Sequence, residues 1–280
     1  MTIIVDSSSI CYQAKHTLDL SYEGNEVGVV FGFLRKIISL AKIFKTNDFI
    51  FTWDSKTSIR KEHFPGYKGK RHQERTEQEK EFDALCYRQF NELKESVIPN
   101  IGFLSYSQEG YEADDLIASI IQNEKKDIPF LIISTDNDLY QLLSDRVSLY
   151  NKVEFSKGNF EDEYNIPPNQ WIYVKAIAGC DSDSIPGIPT IGTKTAIKYL
   201  KKELKITSAA HQKIVSNKEL IDFNLPLVSL PYPGTTAIKL PDKKPVLSYK
   251  NFVTILAQYG FRSMLEKEYL EKCKTILSLQ

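Results

Sequence analysis

Short runs of apolar and β-branched residues alternate, through the first half of the chain, with longer segments whose apolar positions recur at helical spacing. The runs are TIIVD, FIFTWD and FLIISTDND, ending near Asp6, Asp54 and Asp138. Between them, EGYEADDLIASII predicts a helix from near Tyr111, with Leu116, Ile117, Ile120 and Ile121 along one face. Strands alternating with amphipathic helices define an α/β chain with a central, mostly parallel sheet. Further on, IPGIPTIGTKTAIKYLKKEL places Gly187 and Gly192 around a turn in which Ile185, Ile188 and Ile191 are apolar plugs. The turn opens into a helix carrying Lys194, Lys198, Lys201, Lys202 and Lys205 against Glu203 alone.

All three apolar runs close on aspartate: Asp6, Asp54, then Asp136 and Asp138. Aspartate commonly follows strands because it starts turns and caps helices. Four of them on three strand ends exceed that need, and carboxyl ends of parallel strands form the edge where ligands bind. Glu112, Asp114 and Asp115 add three carboxylates at the start of the predicted helix. The helix dipole favours acids there, but not so many. Two unit charges ~5 Å apart repel by roughly 3 kcal/mol at an effective dielectric near 20. Seven gathered carboxylates therefore require cations. All-oxygen ligation selects magnesium or manganese over zinc or copper, and two such ions suit in-line displacement at phosphorus.

Composition adds limits. With 280 residues and 42% apolar content, the chain buries a sizeable core in one large domain or two closely joined ones. Its longest apolar stretches, such as VGVVFGFL, are too short to span a bilayer, and MTIIVDSSS lacks the features of a signal peptide. The expectation is a cytoplasmic protein with no membrane association. Four cysteines without a CxxC pair indicate neither a zinc site nor a disulfide framework. Lysine plus arginine balance aspartate plus glutamate at 36 each, yet Lys56 to Lys80 holds eight basic residues against four acidic. There Phe64 and Tyr67 interleave with Lys68, Lys70 and Arg71, offering stacking faces and phosphate-binding charges to a single strand of nucleic acid.

FPGYKGKR, GYEADDLIA, ISTDNDLYQLL and AGCDSDSIPGIPTIGTKTA follow one another in an order and spacing that resembles the 5'-nuclease superfamily. The likeness is greatest to bacteriophage flap endonucleases and the 5'-to-3' exonuclease domain of bacterial DNA polymerase I. It covers nearly the whole chain, including LAQYGFRSMLEK near the C-terminus. The resemblance implies a PIN-like core over residues 1–175, with a helical arch at about 60–97. Residues 176–280 would hold a helix-three-turn-helix that binds duplex DNA, followed by C-terminal helices. It implies two magnesium ions, replaceable by manganese, and a potassium ion at the helix-three-turn-helix. The activity implied is 5'-3' exonuclease and flap-endonuclease hydrolysis of DNA to 5'-phosphate and 3'-hydroxyl ends. Carried over by motif, Asp6, Asp54, Glu112, Asp114 and Asp115 belong to a first metal, and Asp136, Asp138 and Asp183 to a second. Lys68 and Arg71 would contact the scissile phosphate, and Tyr67 would stack on a displaced nucleotide. Arg60, Gly187, Gly192, Lys194, Thr195 and Lys198 are expected at the DNA. The implied partner is flap, nicked or RNA-primed duplex, met by a monomer in a bacterial cell or phage-infected host, with a polymerase acting in trans.

One position departs from the motif. The family writes G-D-x-x-D-N-I-P-G; aligned on Ile185-Pro186-Gly187, its second aspartate is Asp183 and its first falls on Cys180. A thiol is a poor magnesium ligand, so the second ion is expected to bind more weakly unless Asp181 or a water fills the place. The alternatives are removal of RNA primers by the same site, a branched-DNA-binding member with a weakened site, and a phosphatase built on an aspartate nucleophile. The last needs a second Asp two residues after the first, where this chain has Ser8.

Overall fold

The computed structural model describes residues 1–15, 20–69, 76–125 and 127–280. In chain order its elements begin β1 (Thr2–Asp6), α1 (Ser7–Lys15), β2 (Ser21–Tyr22), β3 (Asn25–Glu26), α2 (Gly28–Phe44), β4 (Phe49–Trp53) and α3 (Ile59–His63). Then come α4 (Glu77–Glu92), a π-helical turn over Leu93–Val97, α5 (Ile98–Ile101), β5 (Leu104–Ser107), α6 (Ala113–Asn123), β6 (Phe130–Ile133), β7 (Val147–Asn151) and β8 (Val153–Phe155). Helices close the chain: α7 (Lys157–Tyr164), α8 (Trp171–Ala178), α9 (Thr193–Leu200), α10 (Ala209–Ser216), α11 (Lys218–Val228), α12 (Tyr249–Gln258) and α13 (Lys267–Leu277). No described helix is long and apolar enough to cross a membrane.

These elements sort into two compact units that interleave along the chain: Met1–Asp54, Arg75–Ser107 and Lys239–Gln280 in one, Ser55–Glu74 and Gln108–Ile238 in the other. In the first, β5, β4 and β1 pair in parallel, with Ile4 opposite Ile50 and Ile50 opposite Leu104. Every residue of β1 and β4 is buried. That is why both read as continuous apolar runs rather than alternating ones: a parallel strand is covered on both faces. The α2 helix turns Val30, Phe33, Leu34, Ile37 and Ala41 inward, each large side chain contributing roughly 1.5–3 kcal/mol on burial. No side chain of its own caps α2; Gln89 of α4 accepts from the Val29 and Val30 amides at 2.9 and 3.2 Å. The α4 helix lies in the segment expected to form the arch and starts with a Thr76–Glu79 capping box.

In the second unit β6 and β7 pair in parallel and β8 returns antiparallel to β7. The mixed, mostly parallel α/β class expected from the hydrophobic pattern is the one the chain adopts. Tyr140, Phe155, Phe160, Tyr164 and Trp171 pack ring against ring beside these strands. The α8 helix packs on α9 and α11, where buried Asn224 donates to the carbonyls of Ala176 (3.0 Å) and Pro186 (2.7 Å). Ile185, Ile188 and Ile191 are buried as the turn's plugs. The lysine-bearing helix is shorter than its pattern suggests: α9 ends at Leu200, and Lys202 takes a positive φ of 60° just beyond it.

Candidate metal and nucleic-acid site

In the first unit, Asp6 closes β1 and Asp54 follows β4, at the carboxyl ends of two parallel neighbours. Asp6 is buried and its Oδ1 accepts from the Ser9 amide at 3.1 Å, fixing the start of α1. Asp54 is exposed, and its amide donates to Ser8 Oγ at 3.5 Å. The Cys11 thiol beneath is pushed well up in pKa, by burial first and then by the charges of Asp6 and Asp54. It stays protonated at neutral pH.

In the second unit, Glu112 and Asp115 meet three groups from the 60–68 segment. Arg60 pairs with Asp115 through two bonds, Nη1 to Oδ2 at 2.7 Å and Nη2 to Oδ1 at 2.8 Å. Asp115 also accepts from the amides of Glu112 (3.0 Å) and Tyr232 (2.8 Å). With no exposure at all and four donors around it, its carboxylate is saturated by protein groups. This differs from the metal-ligand expectation: the side chain holds the chain in place rather than facing an ion. Arg60, expected at the DNA, is 2% exposed and also donates to the carbonyls of Leu227 and Ser229. Desolvating a guanidinium is unfavourable unless it is paired, and Asp115 supplies that pair.

Tyr67 likewise differs from its expected stacking role. It is 2% exposed, packed among Ala176, Cys180, Ile185, Leu227 and Val228, and its hydroxyl donates to Glu112 Oε2 at 2.9 Å. Lys68 reaches Glu112 Oε1 at 2.6 Å and Asp183 Oδ1 at 4.0 Å, while its amide donates to the Asp183 carbonyl at 2.8 Å. Burial opposes ionisation of Glu112, but Lys68 and Arg60 outweigh it and hold the carboxyl below its ordinary pKa. Asp114, in the first turn of α6, is half-buried. Arg71 lies outside the described residues.

A second cluster forms where the residues after β6 meet those after α8. Donor atoms of Asp138, Cys180 and Asp183 all lie within 4.8 Å of one another. Asp136 is exposed and Asp181 is exposed, and neither is one of the three. Asp136 Oδ1 accepts from the Asp138 amide at 2.8 Å, which orients Asp138. Lys175 pairs with Asp138 Oδ1 at 2.5 Å. Burial would lower its pKa, yet the charge of Asp138 holds it above the ordinary value. The sequence reading missed Lys175, and its signal was a single cation in the otherwise apolar run WIYVKAIA. For magnesium the two carboxylates fit and the sulfur does not, because a hard ion selects oxygen.

The two glycines of the turn do different work. A Cβ on Gly187 would stand 1.9 Å from the Ala178 carbonyl oxygen, so this glycine serves a crossing of two backbone segments. Gly192 has open space around its Cβ position and sits at the N-cap of α9. Lys194 and Lys198 are exposed on that helix and Thr195 is half-buried. Open amides at a helix start, flanked by cations, favour an anion.

The family model described as 5'-3' exonuclease, N-terminal resolvase-like domain, matches residues 1–165, and the chain belongs to that family. The 5'-3' exonuclease of Buchnera aphidicola is 33% identical over 260 residues, covering 89% of this chain and 84% of that one. Two structures from bacteriophage T5 are similar over 99% of this chain and 98% of theirs at 25% identity. One is a 5'-exonuclease with divalent metal ions (zinc) bound, TM-score 0.70. The other is a flap endonuclease in a complex with DNA and metal ions, TM-score 0.68. The chain spans only 24% of the thermostable DNA polymerase I of Thermus aquaticus, to which it is 32% identical, and 32% of that of Bacillus caldotenax.

Proposed function

We propose that this protein is a divalent-metal-dependent, structure-selective 5' nuclease that hydrolyses DNA phosphodiesters in exonuclease and flap-endonuclease modes. The observation that carries the reading is the seating of Lys68, a partly exposed ammonium fixed between Glu112 and Asp183 in a chain of the 5'-3' exonuclease family. Such a cation would take up charge that develops on a phosphoryl group. Arg71 is assigned to the same phosphate by its place in the motif FPGYKGKR.

Asp6, Asp54, Glu112, Asp114, Asp136, Asp138 and Asp183 are the carboxylates we assign to divalent metal, which is magnesium, with manganese as a substitute, where the donors are all oxygen. When bound, such ions acidify a water and neutralise the phosphodiester's charge. Asp115 and Arg60 position Glu112, and Tyr67 donates to it, so that the carboxylate is held from three sides. Lys194, Thr195 and Lys198 with the amides after Gly192 would hold duplex phosphates, with a potassium ion in the same turn. The substrates would be flap, nicked or RNA-primed duplexes, presented to a monomer with a polymerase acting in trans.

Incubation with a 5'-flap duplex, with and without magnesium, tests this. Cleavage is expected only with the ion, leaving a 5'-phosphate. Asp114→Asn is expected to abolish cutting while DNA binding persists. Metal-independent cleavage, or full activity of that variant, would overturn the assignment.

A further inference from the structure

We infer that Asp138, Cys180 and Asp183 form a thiolate-bearing site that takes a thiophilic divalent cation, of the zinc and cadmium class, in preference to magnesium. Cys180 Sγ lies 3.7 Å from Asp183 Oδ2 and 4.0 Å from Asp138 Oδ2. A tetrahedral zinc, about 2.3 Å from sulfur and about 2.1 Å from oxygen, separates such a pair of ligands by about 3.6 Å. The sulfur therefore stands close to that spacing from each of the two carboxylates, and all three donors lie within 4.8 Å of one another. An octahedral magnesium brings neighbouring donors to about 3 Å and selects oxygen over sulfur.

The backbone holds this arrangement. Cys180 and Ile185 exchange amide–carbonyl bonds at 3.0 and 2.9 Å, and the Asp183 amide donates to the Cys180 carbonyl at 3.2 Å, so sulfur and carboxylate are fixed on one tight loop. Around the sulfur, Ser182 Oγ at 3.0 Å is able to donate to a thiolate, and the Lys175 ammonium lies 3.9 Å away. Lys175 occupies Asp138 Oδ1, which leaves Oδ2 on the side of the sulfur. Three protein donors leave a fourth position for water, the arrangement of an open zinc site. On binding, the thiol proton leaves to solvent and the sulfur lone pair passes to the metal, so affinity falls as pH falls. Among the described residues this is the one group of three metal-ligating side chains so placed. The inference stands on this geometry; the nuclease reading enters only in naming magnesium as the competing ion.

The test is a titration of the full chain with cadmium chloride under a phosphine reductant, following the ultraviolet sulfur-to-cadmium charge-transfer band. One equivalent is expected to saturate the band, and excess magnesium is expected not to remove it. Cys180→Ser should lose the band, with circular dichroism confirming its fold. Asp138→Asn and Asp183→Asn should weaken binding by more than the roughly tenfold that loss of an outer partner costs. Cys180→Asp should lose the band and gain affinity for manganese, read by the loss of free-ion electron paramagnetic resonance signal. No band in the wild type, a band that survives Cys180→Ser, or unchanged affinity in both asparagine variants would overturn the site. None of these readouts uses flap DNA, so the site and the nuclease reading fail separately.

Discussion

Two groups of acids in the second unit are built from different donors. Around Glu112 and Asp115 the counter-charges are the chain's own: Arg60 is clamped to one, Lys68 and the Tyr67 hydroxyl to the other. Around Asp138 and Asp183 the described cation in contact is Lys175 on one carboxylate, with Lys68 4.0 Å from the other, and a neutral thiol completes the group. There burial, Asp138 and Asp183 push the Cys180 pKa up. Protein donors saturate Asp115 in the first group, whereas the second sets a sulfur among its carboxylates. A count of carboxylates therefore overstates the number that face an ion, since one of them, Asp115, is consumed in holding the others.

The largest expected effect breaks the first group. Arg60→Leu leaves Asp115 buried without a partner and should cost about 3–5 kcal/mol, seen as a lowered thermal midpoint. Arg60→Leu with Asp115→Leu should recover most of that loss, because an ion pair replaced whole by apolar groups is close to neutral. If the double variant is no better than the single, Asp115 has another role. Lys68→Ala should lower the melting temperature by less than Arg60→Leu does and slow single-turnover cleavage of a 5'-flap substrate by about 10²–10³-fold. An unchanged rate would remove Lys68 from the chemistry. The smallest effect is on acid stability. Because the folded pKa of Glu112 is depressed, its contribution is complete above the unfolded value of about 4.3 and disappears as pH falls through the lower folded value. Urea midpoints of the wild type and Glu112→Gln should converge in acid; a constant gap would show that the ion pairs with Lys68 and Arg60 contribute nothing.

Much of this was legible in the sequence for identifiable reasons. Buried parallel strands write unbroken apolar runs, so TIIVD and FIFTWD gave the strand ends and with them Asp6 and Asp54. The turn's isoleucines were equally plain. The Arg60–Asp115 pair was hidden because its partners are 55 residues apart and Arg60 sits in a run that looks like a solvated face. Tyr67 misled similarly: an aromatic between lysines has the same spelling whether it stacks on a base or plugs a core. Gly187 could not be told from Gly192 by type, since only the fold sets a second backbone against one of them. Lys175 was hidden because a lone lysine in the apolar run WIYVKAIA carries no sign that it meets Asp138 from another segment.

The bond from the Lys68 amide to the Asp183 carbonyl joins the basic loop to the acidic turn through main-chain atoms alone. No exchange of side chains at either end, proline at position 68 apart, deletes those atoms. A substitution of sulfur for oxygen at position 180 therefore leaves the loop that carries Lys68 moored to the same rung of backbone.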